Sequence, residues 1–103
     1  MIIRVFTARI QPGQEAGFER FVRETGVPMV EAHAGCSHVA WGRNRWSDQP
    51  EFVVVSHWDS VDALEAFAGP RWREAVVQPD EEHMLAEVSC DHYETVRSSG
   101  ERH

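Results

Sequence analysis

Phe52-Val53-Val54-Val55-Ser56-His57-Trp58-Asp59-Ser60 is a β-branched run that closes on an aromatic and then on a helix-start signal. Three consecutive valines after Phe52 suit a pleated, largely buried strand. Asp59 or Ser60 can cap the apolar-periodic segment that follows. One strand therefore feeds one helix here, and Trp58, at the last strand position, is expected at the mouth of the cavity between them. The period of two divides the run: Phe52, Val54, Ser56 and Trp58 share one face, and Val53, Val55 and His57 share the other.

Upstream, Ile2 to Ile10 reads as a first strand, with Ile3, Val5 and Thr7 opposite Arg4, Phe6, Ala8 and Ile10. Gln11-Pro12-Gly13 breaks it. Ala16, Phe18, Phe21 and Val22 then form an apolar stripe at helical spacing. Gly26 and Pro28 interrupt that stripe before Met29, Val30 and Ala32 resume it, which predicts a long, bent first helix. Cys36 to Trp46 is the second strand, with Val39 and Trp41 opposite His38, Ala40 and Gly42. Ser47-Asp48-Gln49-Pro50 joins it to the opening run as a hairpin with a loop of about four residues. Val61, Leu64, Phe67 and Ala68 give the second helix its buried face, and Gly69-Pro70 ends it. Trp72, Ala75, Val76 and Val77 suggest another short helix, and Asp80-Glu81-Glu82 a last turn. Glu87 to Val96 alternates again as the fourth strand.

The order βαββαβ is that of the ferredoxin-like α+β unit, a four-stranded antiparallel sheet with both helices on one face. Strands one and three are then central and strands two and four are edges. Residues 1–96 form one domain, and residues 97–103 a polar C-terminal tail. If Val53, Val55, Val39 and Trp41 all point away from the helices, that face needs a partner, and a homodimer packed sheet on sheet is the simplest one.

Composition narrows the partners. A hydrophobic share of 42% and a charged share of 26% are those of an ordinary soluble domain. Ten basic against seventeen acidic residues leave a net charge of −7, which repels a phosphate backbone and argues against nucleic acid. No run approaches the roughly 18 apolar residues of a membrane span. Cys36 and Cys90, on opposite edges, are too far apart to bridge and read as small buried hydrophobes in a reducing, cytoplasmic compartment.

Val55-Ser56-His57-Trp58-Asp59-Ser60, followed by Ala63-Leu64 and Phe67, resembles the strand-to-helix signature of the antibiotic biosynthesis monooxygenase (ABM) family. Ala8-Arg9-Ile10-Gln11-Pro12-Gly13, Ala34-Gly35-Cys36 and His92-Tyr93-Glu94 support the resemblance in the same order and spacing. The resemblance implies a homodimeric α/β barrel with a ligand cleft in each subunit, between sheet and helices. It also implies one of several activities: cofactor-free oxidation of polyketide phenols, quinol oxidation, or haem degradation. The tryptophan of the polyketide-oxidising members corresponds to Trp58, but their asparagine falls on Val54 and their tyrosine on Leu64, so both polar roles are lost. The haem-degrading members' asparagine falls on Ala8, their tryptophan on Phe67 and their haem-ligating histidine near Val76, which disfavours haem degradation.

Under that geometry, the ligand-facing candidates are Trp58, Phe6, Phe21, Val54, Ser56 and Trp72. These residues describe an apolar, aromatic cleft for a flat molecule, with no cofactor and no metal expected. A phenol or quinol also needs a base, for which His38, His83 and His92 are the candidates because imidazole titrates near neutral pH. Trp58 has a second reading, as a core or rim aromatic, and Trp72 another, as packing under the second helix. His57 belongs to the interface, and His33 and His103 to the surface. Arg4 and Arg43 could anchor an acidic ligand, although a lone strand arginine is more often solvated or ion-paired. The function expected is a cofactor-independent ABM-type monooxygenase acting on an aromatic polyphenol or quinol; the alternative is a non-catalytic homodimer that binds an apolar or aromatic metabolite.

Overall fold

The structure, a computed structural model, describes residues 1–96; the tail expected over residues 97–103 lies outside them. Four strands, β1 (Ile2–Ile10), β2 (Cys36–Arg43), β3 (Glu51–Trp58) and β4 (Leu85–Glu94), form one antiparallel sheet in the order β2-β3-β1-β4. The helices are α1 (Glu15–Phe21), α2 (Val27–Glu31) and α3 (Val61–Ala68), which completes a ferredoxin-like α+β unit with β1 and β3 in the centre.

The bent first helix is α1 and α2 joined by a widened π-helical turn at Val22–Gly26. Pro28 lies in the first turn of α2 and has no N–H to donate backward, so the wider turn absorbs the break. Phe18, Val22 and Val27 from this stretch pack on Ala8, Ile10 and Phe52 of the sheet and on Met84, forming the core. Phe18 and Phe52 meet with ring centroids 5.3 Å apart.

Helix α3 starts where the sequence places it: the Ser60 side chain accepts the Ala63 N–H at 3.1 Å. It ends at Gly69, whose positive φ of 85° with an extended ψ is open to a residue without a Cβ. Leu64 is buried on its inner face, whereas Val61, expected there, is exposed at the helix start.

Three other expectations are corrected. Val39 and Trp41 face the helices, because the register sets them beside Ser56 and Val54. An irregularity between Cys36 and His38 inserts one residue, and a one-residue shift exchanges the two faces of a strand. The face away from the helices therefore carries Ile3, Val5, Val53 and Val55 with His38, Ala40 and His57. Strand β2 stops at Arg43 rather than Trp46, since Asn44 Oδ1 captures the Trp46 N–H at 2.9 Å and turns the chain early. The connection spans residues 44–50, and Trp46 is 89% exposed. The short helix expected around Trp72 is a single turn, Glu74 N–H to Arg71 C=O at 3.0 Å. The carbonyls of Trp72 and Glu74 are bonded instead to the Arg4 guanidinium.

Gly35 marks the closest approach of loop and helix. Its φ is 89°, and a Cβ built there would collide with the Ala63 Cβ. Its carbonyl also accepts the Asp59 N–H at 2.8 Å. Gly35→Ala should therefore cost on the order of 1–3 kcal/mol in denaturant unfolding, combining left-handed strain with a clash against α3. Gly13→Ala, at a left-handed glycine in open space, tests strain alone and should cost less.

Candidate functional site

Between the sheet and the bent helix lies a cavity of about 70 Å³. Strand alternation supplies its floor: Arg4 and Phe6 from β1, with Val54 and Ser56 from β3, point the same way because β1 and β3 pair Arg4 with Ser56 and Phe6 with Val54. Phe18, Phe21, Met29 and Val30 roof it, and Phe67 of α3 closes one side. The segment after α3 contributes Val76, Gln78 and Glu81. The walls are mainly apolar and aromatic, with a few polar groups among them, the pattern of a small-molecule site.

Arg4 is the unusual wall residue, at only 4% exposure. Its Nη1 donates to the Trp72 carbonyl at 2.6 Å and lies 2.8 Å from His92 Nε2, and its Nη2 donates to the Glu74 carbonyl at 3.1 Å. A guanidinium cannot accept a hydrogen bond, so His92 Nε2 must be the acceptor; the imidazole is neutral, with its proton on Nδ1. No described carboxylate forms an ion pair with Arg4, and burial lowers its pKa. The same burial, reinforced by the Arg4 charge, lowers the pKa of His92. The Arg4 guanidinium also sits 5.9 Å from the Phe67 ring centroid, within cation–π range.

Glu81 is 5% exposed and supplies the opposite charge. Its Oε1 accepts the Gln78 N–H at 2.9 Å, and burial raises the carboxyl pKa above its ordinary value.

Phe6, Phe21, Val54 and Ser56, four of the six ligand-facing candidates, come together in this cavity. Trp58 does not line it. The indole is fully buried, stacks on Phe67 at 5.1 Å, and donates from Nε1 to Ser56 Oγ at 2.9 Å. Trp72 lies against His92 edge to face at 5.0 Å, in a surface groove along β4. Of the candidate bases, His38 is on the far face of the sheet against His57, and His83 is exposed ahead of β4. His92 reaches the cavity only through Arg4. Among the described residues, no three histidine, cysteine or acidic side chains cluster as metal ligands.

Two wall residues were underweighted by sequence reasoning. Arg4 shares the strand phase of Phe6 and Ala8, a signal that places it under the helices. Glu81 lies in an acidic run with no period, and nothing local marks it as buried.

The sequence profile of the antibiotic biosynthesis monooxygenase family matches residues 1–95. The chain belongs to that family. Solved structures agree on the ABM fold. PA3566 from Pseudomonas aeruginosa is 22% identical, with a TM-score of 0.72 over 93% of this chain and 94% of its own. A Bordetella bronchiseptica protein described by the same family name is 27% identical, with a TM-score of 0.69 over 93% of this chain and 97% of its own. MhuD, solved as a mutant with two manganese protoporphyrin IX molecules bound per active site, is 19% identical, with a TM-score of 0.72 over 97% of this chain and 99% of its own. None of the curated proteins matches. Among the described residues no helix is long and apolar enough to cross a membrane.

The raised Glu81 pKa makes stability depend on pH. A carboxyl whose pKa is raised by folding contributes most below its unfolded pKa, and that contribution is lost as pH rises through the raised value. Glu81→Gln keeps an acceptor for the Gln78 N–H but does not titrate. The melting temperature of the variant minus that of the wild type should therefore be near zero in acid and should increase toward neutral pH, read by thermal denaturation across that range. The lowered His92 pKa acts in the opposite sense, removing stability as pH falls, but it is common to both proteins and cancels in the difference.

Proposed function

We propose that this chain is a cofactor-independent monooxygenase of the ABM type acting on an aromatic polyphenol or quinol. The observation that carries the reading is the aromatic-walled cavity between sheet and helices, whose polar wall groups include two buried ionisable side chains, Arg4 and Glu81. An ionised phenol pushes electron density onto the ring carbon para to its oxygen. That carbon can pass one electron to dioxygen and bond to the superoxide so formed. Where that carbon carries hydrogen, as in a phenol or an anthrone, the hydroperoxide loses water to leave a carbonyl, so one oxygen atom enters the product and the other leaves as water. Where it already carries oxygen, as in a quinol, the adduct expels hydrogen peroxide and leaves the quinone. The protein's tasks are to hold the ring, keep the oxygen ionised and exclude water. A cavity of about 70 Å³ is below the roughly 300–1,000 Å³ usual for a drug-sized ligand, which ranks one-ring quinols ahead of naphthohydroquinones and anthrones.

Haem chemistry fits the same walls poorly. Val76, near the position of the haem-ligating histidine in the degrading relatives, lines the cavity with an apolar side chain that cannot ligate iron.

The working unit on this reading is a homodimer in the reducing cytoplasm. Ile3, Val5, Val53 and Val55 form an apolar face away from the helices, which a second copy would cover sheet on sheet. Half-buried, unbridged Cys36 and Cys90 suit that compartment.

A second reading is favoured by Val54 and Leu64, which stand where oxidising relatives carry polar groups: a non-catalytic homodimer that binds an apolar or aromatic metabolite. Oxygen consumption separates the two. The monooxygenase should take up one dioxygen per quinone formed from members of a panel of naphthohydroquinones, simple quinols and anthrones. Val54→Phe, which fills the floor of the cavity, should lower that rate at least about tenfold with the fold retained by circular dichroism. Ligand-induced rises in melting temperature without oxygen uptake by any member would instead favour the binding protein.

A further inference from the structure

Arg4 and Glu81 are two buried groups of opposite charge that line one cavity and do not pair with each other. Burying a charge without an opposite partner costs several kcal/mol, so an arginine kept in this state points to a partner from outside the chain. The hydrogen bonds agree. A guanidinium has five N–H donors. Three are used, on the Trp72 carbonyl, the Glu74 carbonyl and His92 Nε2, and none of these acceptors is charged. Nε–H and one Nη2 proton have no acceptor among the described residues. On Glu81, Oε1 is bonded to the Gln78 N–H, and Oε2 has no donor among the described residues.

These free atoms are not sealed in the interior. The described side-chain atom that is both fully buried and unpartnered is Thr95 Oγ1. Arg4 Nε and Glu81 Oε2, which have no partner among the described residues, therefore keep some accessible surface. Both residues are at least nine-tenths buried, and both line the cavity.

We infer that the cavity is a receptor for an ionisable hydroxyl, with Arg4 holding the oxyanion and Glu81 Oε2 taking the proton. The inference rests on the aromatic ligand class proposed above. The step balances: the hydroxyl O–H bond breaks, an O–H bond forms at Glu81, and the charge within the cavity does not change. A cationic guanidinium, a carboxylate and a phenol become a cationic guanidinium, a carboxylic acid and a phenolate. Burial holds the Glu81 carboxyl above the ordinary range, closer to a phenol and better matched to exchange a proton with it. His92 and the carbonyls of Trp72 and Glu74 fix the guanidinium from behind and are positioning groups.

The titratable groups around the oxyanion site are few. Arg4 comes from β1 and Glu81 from the segment before β4. Cys90 and His92 of β4 lie beside Arg4, and the cavity-lining residues of the bent helix and of α3 do not titrate.

4-Nitrophenol and 4-nitroanisole test this directly. The nitro group makes both rings too electron-poor to reduce dioxygen, so binding is read apart from turnover. The nitrophenol's colour reports ionisation, and the anisole cannot ionise. The wild type should bind the nitrophenol as the yellow phenolate, lower its pKa on binding by at least about one unit, and prefer it to the anisole by about tenfold or more. Arg4→Met should lose this preference and still bind the anisole. Should Arg4→Met fail to fold, Glu81→Gln carries the test. In weak buffer below the free dye's pKa, binding to the wild type should release no net proton, because Glu81 keeps it, whereas binding to Glu81→Gln should release about one per dye. Dye bound as the colourless phenol, equal affinity for the anisole, equal proton release by the two proteins, or no binding of either probe would each overturn the inference. Oxygen uptake on quinols that survives any of those results would leave the monooxygenase reading standing; phenolate capture without oxygen uptake would do the reverse.

Discussion

The guanidinium of Arg4 is the tie on which the irregular part of the molecule depends. It stands on a central strand and reaches across the sheet to two backbone carbonyls, Trp72 and Glu74, in a segment that has almost no regular structure of its own. Gly69-Pro70 stops α3 ahead of it, so its carbonyls have no helix to join. They are drawn to a buried cation, and hydrogen bonds to a charged group contribute more than neutral ones, about 1.5–3 kcal/mol each. The bond from Arg4 to His92 ties the same cation to edge strand β4. One side chain thus joins a central strand, an edge strand and the loop that walls the cavity. Val76, Gln78 and Glu81, farther along that loop, line the cavity.

Opposite this tie, the roof is set by a different constraint. The chain between Glu15 and Glu31 is continuous helix, but Pro28 cannot donate to the preceding turn, and the π-helical turn at Val22–Gly26 takes up the mismatch. Phe21 and Gly26 both lie at that turn and both line the cavity. The same turn carries Val22 into the core, so the roof is anchored beside the cavity it covers.

Strand phase was the most legible feature in the sequence, because a period of two is imposed by the backbone and needs no tertiary information. It put Phe6, Val54 and Ser56 on the cavity side and His57 on the other. Where it misled, the cause was local: one inserted residue near Ser37 exchanged the faces of β2 and moved Val39 and Trp41 under the helices. Trp58 was legible as the end of the strand but not as a buried indole, since its depth depends on Phe67 and Ser56 closing over it. Arg4 could be read from its phase, yet burying a guanidinium runs against the usual preference, and the compensating carbonyls lie 68 and 70 residues away. Glu81 could not be read at all. Its burial follows from the path of a loop, and loops carry no period.

These failures have one physical origin, and it bears on how the family's chemistry is arranged in this chain. Val54 of β3 and Phe67 of α3 bring apolar side chains to the cavity wall. Its polar groups come chiefly from β1 and from the loop before β4: Arg4, Gln78 and Glu81, with Ser56 engaged by the Trp58 indole. In this fold the sheet and helices supply volume, while loops and single strand positions supply charge. The two contributions differ in what they need. An aliphatic wall residue needs only packing, whereas a buried arginine needs acceptors already in place. The carbonyls of Trp72 and Glu74 and the neutral His92 are those acceptors, so the loop path and the charge belong together. A substitution that let the loop fold as helix would remove the acceptors and expel the cation from the site.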